Sequence, residues 1–433
     1  MDAFPWRGLT VTRALRNATD PVVFLNDLFS AGISAVLPGP SLASVLPRPP
    51  RGRTIVLGAG KASAAMALAV EQQWRGGLEG LVIVPDGYDR PCRSIEIIEA
   101  GHPVPDMRGA IGAQRIMSMA REAGTEDLVL CLISGGASSL MAAPAPGIEL
   151  EEKRLITLSL LRSGAAIEEI NCVRKHLSAI KGGRLAALAA PATVVTLIVS
   201  DVVGDDPTVI ASGPTVADPT TCADAAAVLR RYDIAVPPHI AASLAWGELE
   251  TPKQLPPGTV HVIARPRDAL AAAAACAAAR GFAVQDLGDA RIGEARDEAR
   301  AQASLVRAIL AGRGPVKPPC VILSGGEVVV TMRGQGRGGP NTEFALALAT
   351  ACEDMGNVWL LAVDTDGHDG ASGAAGALVQ PGMIRYARNM GWSPEKALAD
   401  NDSASLLAAC NALVPFGPTF TNVNDLRAVV ICD

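Results

Sequence analysis

Seven short apolar runs constrain this chain more than any single residue does. They read "TIVLG", "GLVIVPDG", "DLVLCLISGG", "TVVTLIVSD", "VHVIA", "PCVILSGG" and "VWLLAVDTDG". A strand that is apolar along its whole length has both faces covered, the mark of a largely parallel sheet flanked by helices. Helical stretches separate the runs. The expected fold is therefore α/β: a Rossmann-like parallel sheet flanked by helices, with a second, smaller α/β domain. Ligands in such sheets sit at the carboxyl ends of the strands, where the Gly, Ser and Asp residues of this chain gather.

At about 150 residues per domain, 433 residues imply two or three domains. Proline clusters mark the joints. "LPGPSLASVLPRPPRGR" (37–53) separates an N-terminal helical region from the first strand, and 235–258 breaks the alternation and reads as an inter-domain crossing. The predicted domains are 1–245 and 258–433. "LISGG" (132–136) and "ILSGG" (322–326) are the same strand-end device in each half, which suggests two domains facing one another across a cleft.

Composition removes several classes. A net charge of −6 argues against a nucleic-acid partner, which needs a basic face. The nine cysteines form no Cys-x-x-Cys pair, which argues against a zinc knuckle and a disulfide scaffold and suits a reducing cytosol. The opening "MDAFPWRGLTVTRALRN" lacks the basic-then-apolar order of a signal peptide. The alanine-rich run 269–279 has 11 residues, against about 20 for a membrane span. A cytoplasmic location without membrane contact is the expectation.

"TIVLGAGKASAAM" (54–66) runs from a strand through a glycine turn into a helix, an arrangement that favours phosphate. It is not a Walker loop, because Ile55 stands at the first glycine position and Ala62 where the Mg²⁺-binding hydroxyl belongs. It is nearer a dinucleotide fingerprint, with Gly58 and Gly60 in place, Ser63 at the third position and Asp86 a candidate ribose acid. That pattern supports a dehydrogenase reading. A plain tight turn packing a helix on a sheet would look similar.

Further on, Asp201 follows an apolar strand, with Asp205 and Asp206 in the next loop. Such a carboxylate could hold Mg²⁺ or accept a hydroxyl proton, and Asp-Asp-Pro is also ordinary turn chemistry. "DTDGHDG" brings Asp364, Asp366 and Asp369 into one strand-end loop that lacks EF-hand spacing. "NCVRKHLSAIKGGRLA" (171–186) places Arg174, Ser178 and Lys181 on one helical face if the stretch is continuous. Such a face can hold an anion, although a solvated charged face is the commoner outcome. Finally, Gly334, Gly336, Gly338 and Gly339 interleave with Arg333 and Arg337 after Glu327, a density that fits backbone lying against a ligand.

Taken together, "GAGKASAAMA", "AGHPVPD", "LISGGASSL", "NCVRKHLSAIKGGRLA", "VSDVVGDDPTVIASGPTVADPTT", "ILSGGEVVVT", "GRGGPNTEFALALA" and "GPTFTNVND" resemble the class II glycerate kinases. This is the glycerate 2-kinase family with a C-terminal MOFRL-type domain, which would span about 318–428. The resemblance implies phosphorylation of D-glycerate, or a close 2-hydroxy acid, from ATP with Mg²⁺. It implies Lys61, Asp201 and Arg337 as catalytic residues. Gly58, Gly60, Ser134, Gly135, Gly136, Ser138, Arg174, Lys181, Glu327 and Asn341 would bind substrate or phosphate. Asp201, Asp364 and Asp366 would hold the metal. Expected partners are glycerate and ATP, and a homodimer is compatible with the chain. Three positions depart from the family pattern: Ala137 after the first SGG, Pro340-Asn341-Thr342 where Arg-Asn-Gln is common, and Phe420 where a small residue is usual. An NAD(P)H-dependent hydroxypyruvate reductase is the alternative.

Overall fold

The computed structural model describes residues 20–432; the opening stretch read for a leader lies outside them. The chain divides into two compact units, Leu37–Ala264 and, together, the residues up to Val36 and Arg265 onward.

The first unit is built on six strands: β1 Thr54–Ala59, β2 Glu79–Pro85, β3 Ile95–Ala100, β4 Leu128–Ser134, β5 Thr193–Val199 and β6 Gly258–Ala264. Their order is β3-β2-β1-β4-β5-β6, and every pairing is parallel. This is the doubly wound order, in which the direction of winding reverses between β1 and β4. Both of those strands are buried from end to end, as their uninterrupted apolar sequence requires. Ile55, Leu57, Leu81, Ile83, Val129 and Ile133 share one core with Ile116, Met117 and Leu185 from the covering helices. A separate helical cluster closes over its own core of Ile156, Leu160, Val173, Leu229, Ile240 and Leu244.

The predicted crossing at 235–258 does not leave this unit. It holds the helix Pro238–Ala245 and runs into β6, which pairs with β5. The division falls after Ala264 instead. The helix Pro21–Val36, expected with the N-terminal domain, belongs to the second unit. Its buried face packs on the helix Pro266–Ala279, and the Phe24 ring stacks on Phe282 at 4.2 Å. Among the described residues, the segment Pro21–Leu42, not the alanine run, is the one long and apolar enough by composition to cross a membrane, and half of its most apolar window is buried in protein.

In the second unit the strands β7 Ala283–Asp286, β9 Cys320–Gly326, β11 Val358–Asp364, β12 Ala374–Val379, β13 Leu413–Pro415 and β14 Asp425–Ile431 form one sheet in the order β13-β12-β11-β14-β9-β7. The short β8 Gly293–Glu294 and β10 Val328–Val329 pair separately. Only β7 and β9 are parallel in the large sheet; its other pairings are antiparallel. The sequence left the strand directions of this second α/β sheet open for a clear reason. Burial on both faces makes a strand continuously apolar whichever way its neighbours run.

Candidate active site

Two glycine loops meet where the first sheet reverses. The Lys61 N–H donates to the Gly135 carbonyl at 2.9 Å, and the Ala62 N–H donates to Ser134 Oγ at 2.9 Å. The turn after β1 therefore lies directly on the turn after β4. That contact explains the glycines. A Cβ at Gly58 would stand 2.0 Å from the Leu132 carbonyl oxygen, and one at Gly60 (φ +133°) would stand 2.1 Å from Ser134 Oγ. Ser63 closes the same joint, its hydroxyl donating to the Leu132 carbonyl at 3.0 Å. Ser134, expected to bind ligand, is fully buried and holds the two loops together. A Cβ at Gly136 (φ +85°) would lie 3.0 Å from His102 Nε2 and 3.5 Å from Lys61 Cγ. The stems of Lys61 and His102 thus flank the second loop. Ala137 departs from the family pattern harmlessly, since its methyl group is buried in the core. Gly60→Ala is expected to cost at least 2 kcal/mol, because neither its φ nor its surroundings admit a side chain; urea unfolding at wild-type midpoint would refute the apposed-loop geometry.

Asp86 does not fit a ribose acid. Its two carboxylate oxygens are taken by Arg108 at 2.6 and 2.9 Å, and that guanidinium lowers the carboxyl pKa.

The basic stretch 171–186 is not one helix. The helix Ile167–His176 ends there, Gly182 and Gly183 turn through φ of +57° and +82°, and a new helix starts at Arg184. Arg174, Ser178 and Lys181 therefore share no continuous helix face. Three of the basic residues are structural. Lys175 pairs with buried Asp218 at 3.2 Å, His176 Nδ1 donates to the Cys172 carbonyl at 2.8 Å, and Arg184 donates to the carbonyls of Lys175 and Leu249 at 2.9 and 2.7 Å. The turn nevertheless brings Lys181 back beside Arg174.

Those two line a cavity together with Ser138 and a residue that sequence reasoning missed, Lys153. Lys153 lies on the helix Leu150–Arg162, on the same buried face as Ile156 and Leu160. Its place in "EEKRL" looks like a solvated charge run, but the 3- and 7-residue spacing to Ile156 and Leu160 was the readable signal. Lys153 is 8% exposed and Lys181 1%. Burial, reinforced by Arg174 and Arg184, pushes the Lys153 pKa down to about 7. Burial, with Lys153 and Arg174 nearby, drives Lys181 well below its ordinary value, and burial also lowers Arg174. The two ammonium groups reach only main-chain carbonyls, Lys153 to Ala143 at 3.5 Å and Lys181 to Met141 at 3.4 Å. No carboxylate among the described residues is paired with any of the three cations. Ser138 Oγ lies 2.7 Å from Ser212 Oγ, which donates on to Asn171 Oδ1 at 3.2 Å. With the Ser212 proton used in that way, Ser138 donates to Ser212 and offers lone pairs to the cavity.

Asp201 follows β5 and is half-buried. Asp206 is turn chemistry, accepting the Thr208 N–H at 2.8 Å.

In the second unit, several expectations give way to packing. The glycines of 334–339 lie against the chain itself. A Cβ at Gly334 would meet Asp400 Cα at 2.4 Å, at Gly336 Asp402 Cβ at 2.3 Å, and at Gly339 the Asp369 carbonyl oxygen at 2.2 Å. Asn341, expected to touch ligand, is 1% exposed and donates from Nδ2 to Asp425 Oδ1 at 2.6 Å. Asp369 holds the start of the helix Pro340–Ala351 by accepting the Asn341 and Thr342 N–H groups at 2.7 and 3.0 Å, and burial pushes its pKa up to about 6. Asp364 accepts the Asp366 N–H at 2.9 Å, and Asp366, fully buried, accepts the His368 N–H at 2.7 Å. These bonds shape the turn after β11. Among the described residues Asp364 and Asp366 belong to no converging cluster of three metal-ligand atoms. The cluster that does converge, His176, Cys222 and Glu250, has its carboxylate held by Lys253 at 2.6 Å and the Cys222 N–H at 3.0 Å. Glu327 and Arg337 are exposed, and Arg337 Nη2 donates to the Ser372 carbonyl at 3.3 Å. Phe420 has φ +62°, a left-handed conformation natural to the glycine usual there.

Apposed glycine loops at the reversal of a β3-β2-β1-β4-β5-β6 sheet place the chain among the doubly wound α/β enzymes. Residues 24–245 match the family described as Domain of unknown function (DUF4147), and residues 320–425 match the MOFRL family. The chain is 39% identical to D-glycerate 2-kinase of Thermotoga maritima over 402 residues, 92% of this chain and 96% of that one. It is 48% identical over 411 residues, 94% of each chain, to a protein of Agrobacterium vitis that carries a provisional hydroxypyruvate reductase name. The crystal structure of a glycerate kinase from Thermotoga maritima superposes with a TM-score of 0.85 at 37% identity, over 94% of this chain and 98% of that one. This chain belongs to the glycerate kinase family with a C-terminal MOFRL domain.

Proposed function

We propose that the protein transfers the γ-phosphoryl group of ATP to a hydroxyl of D-glycerate, giving 2-phosphoglycerate. The observation that carries this reading is the pair of apposed loops with the Lys61 stem beside Gly136, in a chain 39% identical to a D-glycerate 2-kinase. Phosphoryl transfer is mostly positioning and charge neutralisation. Lys61 sets its ammonium group on the transferred phosphoryl group. Gly58, Gly60, Gly135 and Gly136 let the two backbones approach each other there. Asp201, a half-buried carboxylate at a strand end, suits Mg²⁺, which usually takes one or two carboxylates plus phosphate oxygens; the metal would neutralise charge on the phosphoryl oxygens. The same carboxylate could instead accept the proton of the substrate hydroxyl. Arg174 and Lys181 hold an anionic group, and Ser138 accepts from a hydroxyl. Exposed Glu327 and Arg337 of the second unit keep the ligand-contacting roles that the family resemblance implies, and the 2-position of the product rests on that resemblance too.

The name carried by the Agrobacterium relative makes a nicotinamide-dependent hydroxypyruvate reductase the second reading. It would use Gly58 and Gly60, with Asp86 in an exposed pair with Arg108. Purified protein with Mg-ATP and D-glycerate is expected to release ADP and 2-phosphoglycerate. Oxidation of NADH or NADPH with hydroxypyruvate, without ADP release, would replace the kinase reading by the reductase.

A further inference from the structure

The cation pocket of the first unit has an imbalance that identifies its occupant. Lys153, Arg174 and Lys181 carry up to three positive charges in one largely buried cavity, and no described carboxylate pairs with them. A monocarboxylate such as glycerate would offset one of those charges and leave two buried without a counter-ion, a costly arrangement. A di- or triphosphate offsets all three. The rest of the wall is mixed: Val104, Leu158 and Leu161 supply apolar surface suited to a base or sugar face, and Arg154 and Thr157 add polar groups.

We propose that this pocket takes the polyphosphate of the nucleotide, and that Lys153 is its third anion-binding side chain. The proposal rests on the kinase reading for the identity of the nucleotide, while the anion chemistry stands on the pocket alone. Lys153 reaches the pocket from a different helix than Arg174, so the three cations approach the anion from separate elements. Charge-assisted hydrogen bonds to phosphate oxygens are the strong kind, and losing one typically lowers affinity roughly 10- to 100-fold.

The test uses the full chain, with inorganic pyrophosphate as the probe in calorimetry and steady-state kinetics alongside. Wild-type protein is expected to bind pyrophosphate. Lys153→Met should weaken that binding at least roughly 10-fold and raise the KM for ATP by a similar factor, with the KM for D-glycerate within about 2-fold of wild type. Lys153→Arg, which restores a cation, should recover most of the affinity; a purely structural lysine would show no such charge-dependent rescue. A rise confined to the D-glycerate KM would give the pocket to the acceptor and overturn the proposal. Unchanged pyrophosphate binding in Lys153→Met would overturn it as well. Lys153-dependent pyrophosphate binding in a protein that fails to phosphorylate D-glycerate would leave the pocket standing and bring down the kinase reading alone.

Discussion

Lys61→Ala is expected to lower kcat at least about 1000-fold while leaving the fold intact. The two halves of this expectation rest on different atoms of the same residue. The main-chain N–H of Lys61 donates to Gly135, and the neighbouring Ala62 N–H donates to Ser134; alanine keeps both bonds. The removed atoms are the stem beside Gly136 and the ammonium beyond it. A preorganised cation on a transferring phosphoryl group contributes on the order of 4 kcal/mol to the transition state, and 1.36 kcal/mol is tenfold in rate. Lys61→Arg should recover little, because a planar fork on a longer stem does not reproduce a compact point charge in a turn this tightly packed. Turnover of Lys61→Ala with Mg-ATP and D-glycerate, read beside its urea midpoint, decides the matter. Near-normal turnover would remove Lys61 from the chemistry, and a collapsed midpoint would show that the loops depend on the side chain after all.

The sequence made some of these features legible and hid others for identifiable reasons. The first sheet could be read because continuous apolar strands alternating with helices admit few alternatives; its strand order, with the reversal beside Gly58 and Gly60, came from the structure. Strand direction in the second unit was not encoded, since burial alone makes β9, β11 and β14 apolar. The glycines at 334–339 were correctly recognised as a close approach, but sequence could not say to what; the answer is the 400–403 turn and Asp369 rather than a ligand. Asn341 and the acids of 364–369 have backbone and side-chain partners that the sequence did not show, for a related reason. Polar residues at strand ends serve buried backbone groups as readily as substrates, and only three-dimensional partners tell the two apart. Lys153 was hidden by its neighbours. Arg154, the next residue, pairs with Glu151 at the mouth of the same cavity, so the segment resembles a solvated face until its apolar spacing is counted.

Raising the pH from 7 to 10.5 should stabilise the ligand-free protein relative to its Lys153→Met variant. In the folded chain Lys153 has a pKa of about 7 instead of the ordinary 10.5, because it is buried and faces Arg174 and Arg184, with Lys181 also in the cavity. Between those two values the unfolded chain holds a proton that the folded chain has released, so unfolding takes up protons and stability rises with pH. The difference corresponds to roughly 5 kcal/mol at 1.36 kcal/mol per pH unit, fully developed above 10.5 and absent below 7. Urea unfolding of wild type and Lys153→Met across this window reads the contribution of Lys153 together with its coupling to Lys181. Parallel pH profiles would show that Lys153 is not held in its low-pKa environment. At pH 7 the same linkage makes Lys153→Met the more stable protein, because methionine fills a similar volume without a charge to desolvate. Saturating pyrophosphate should reverse that ranking by supplying the counter-charge that the folded chain lacks. A side chain that destabilises the empty fold and stabilises the loaded one is retained for what it binds.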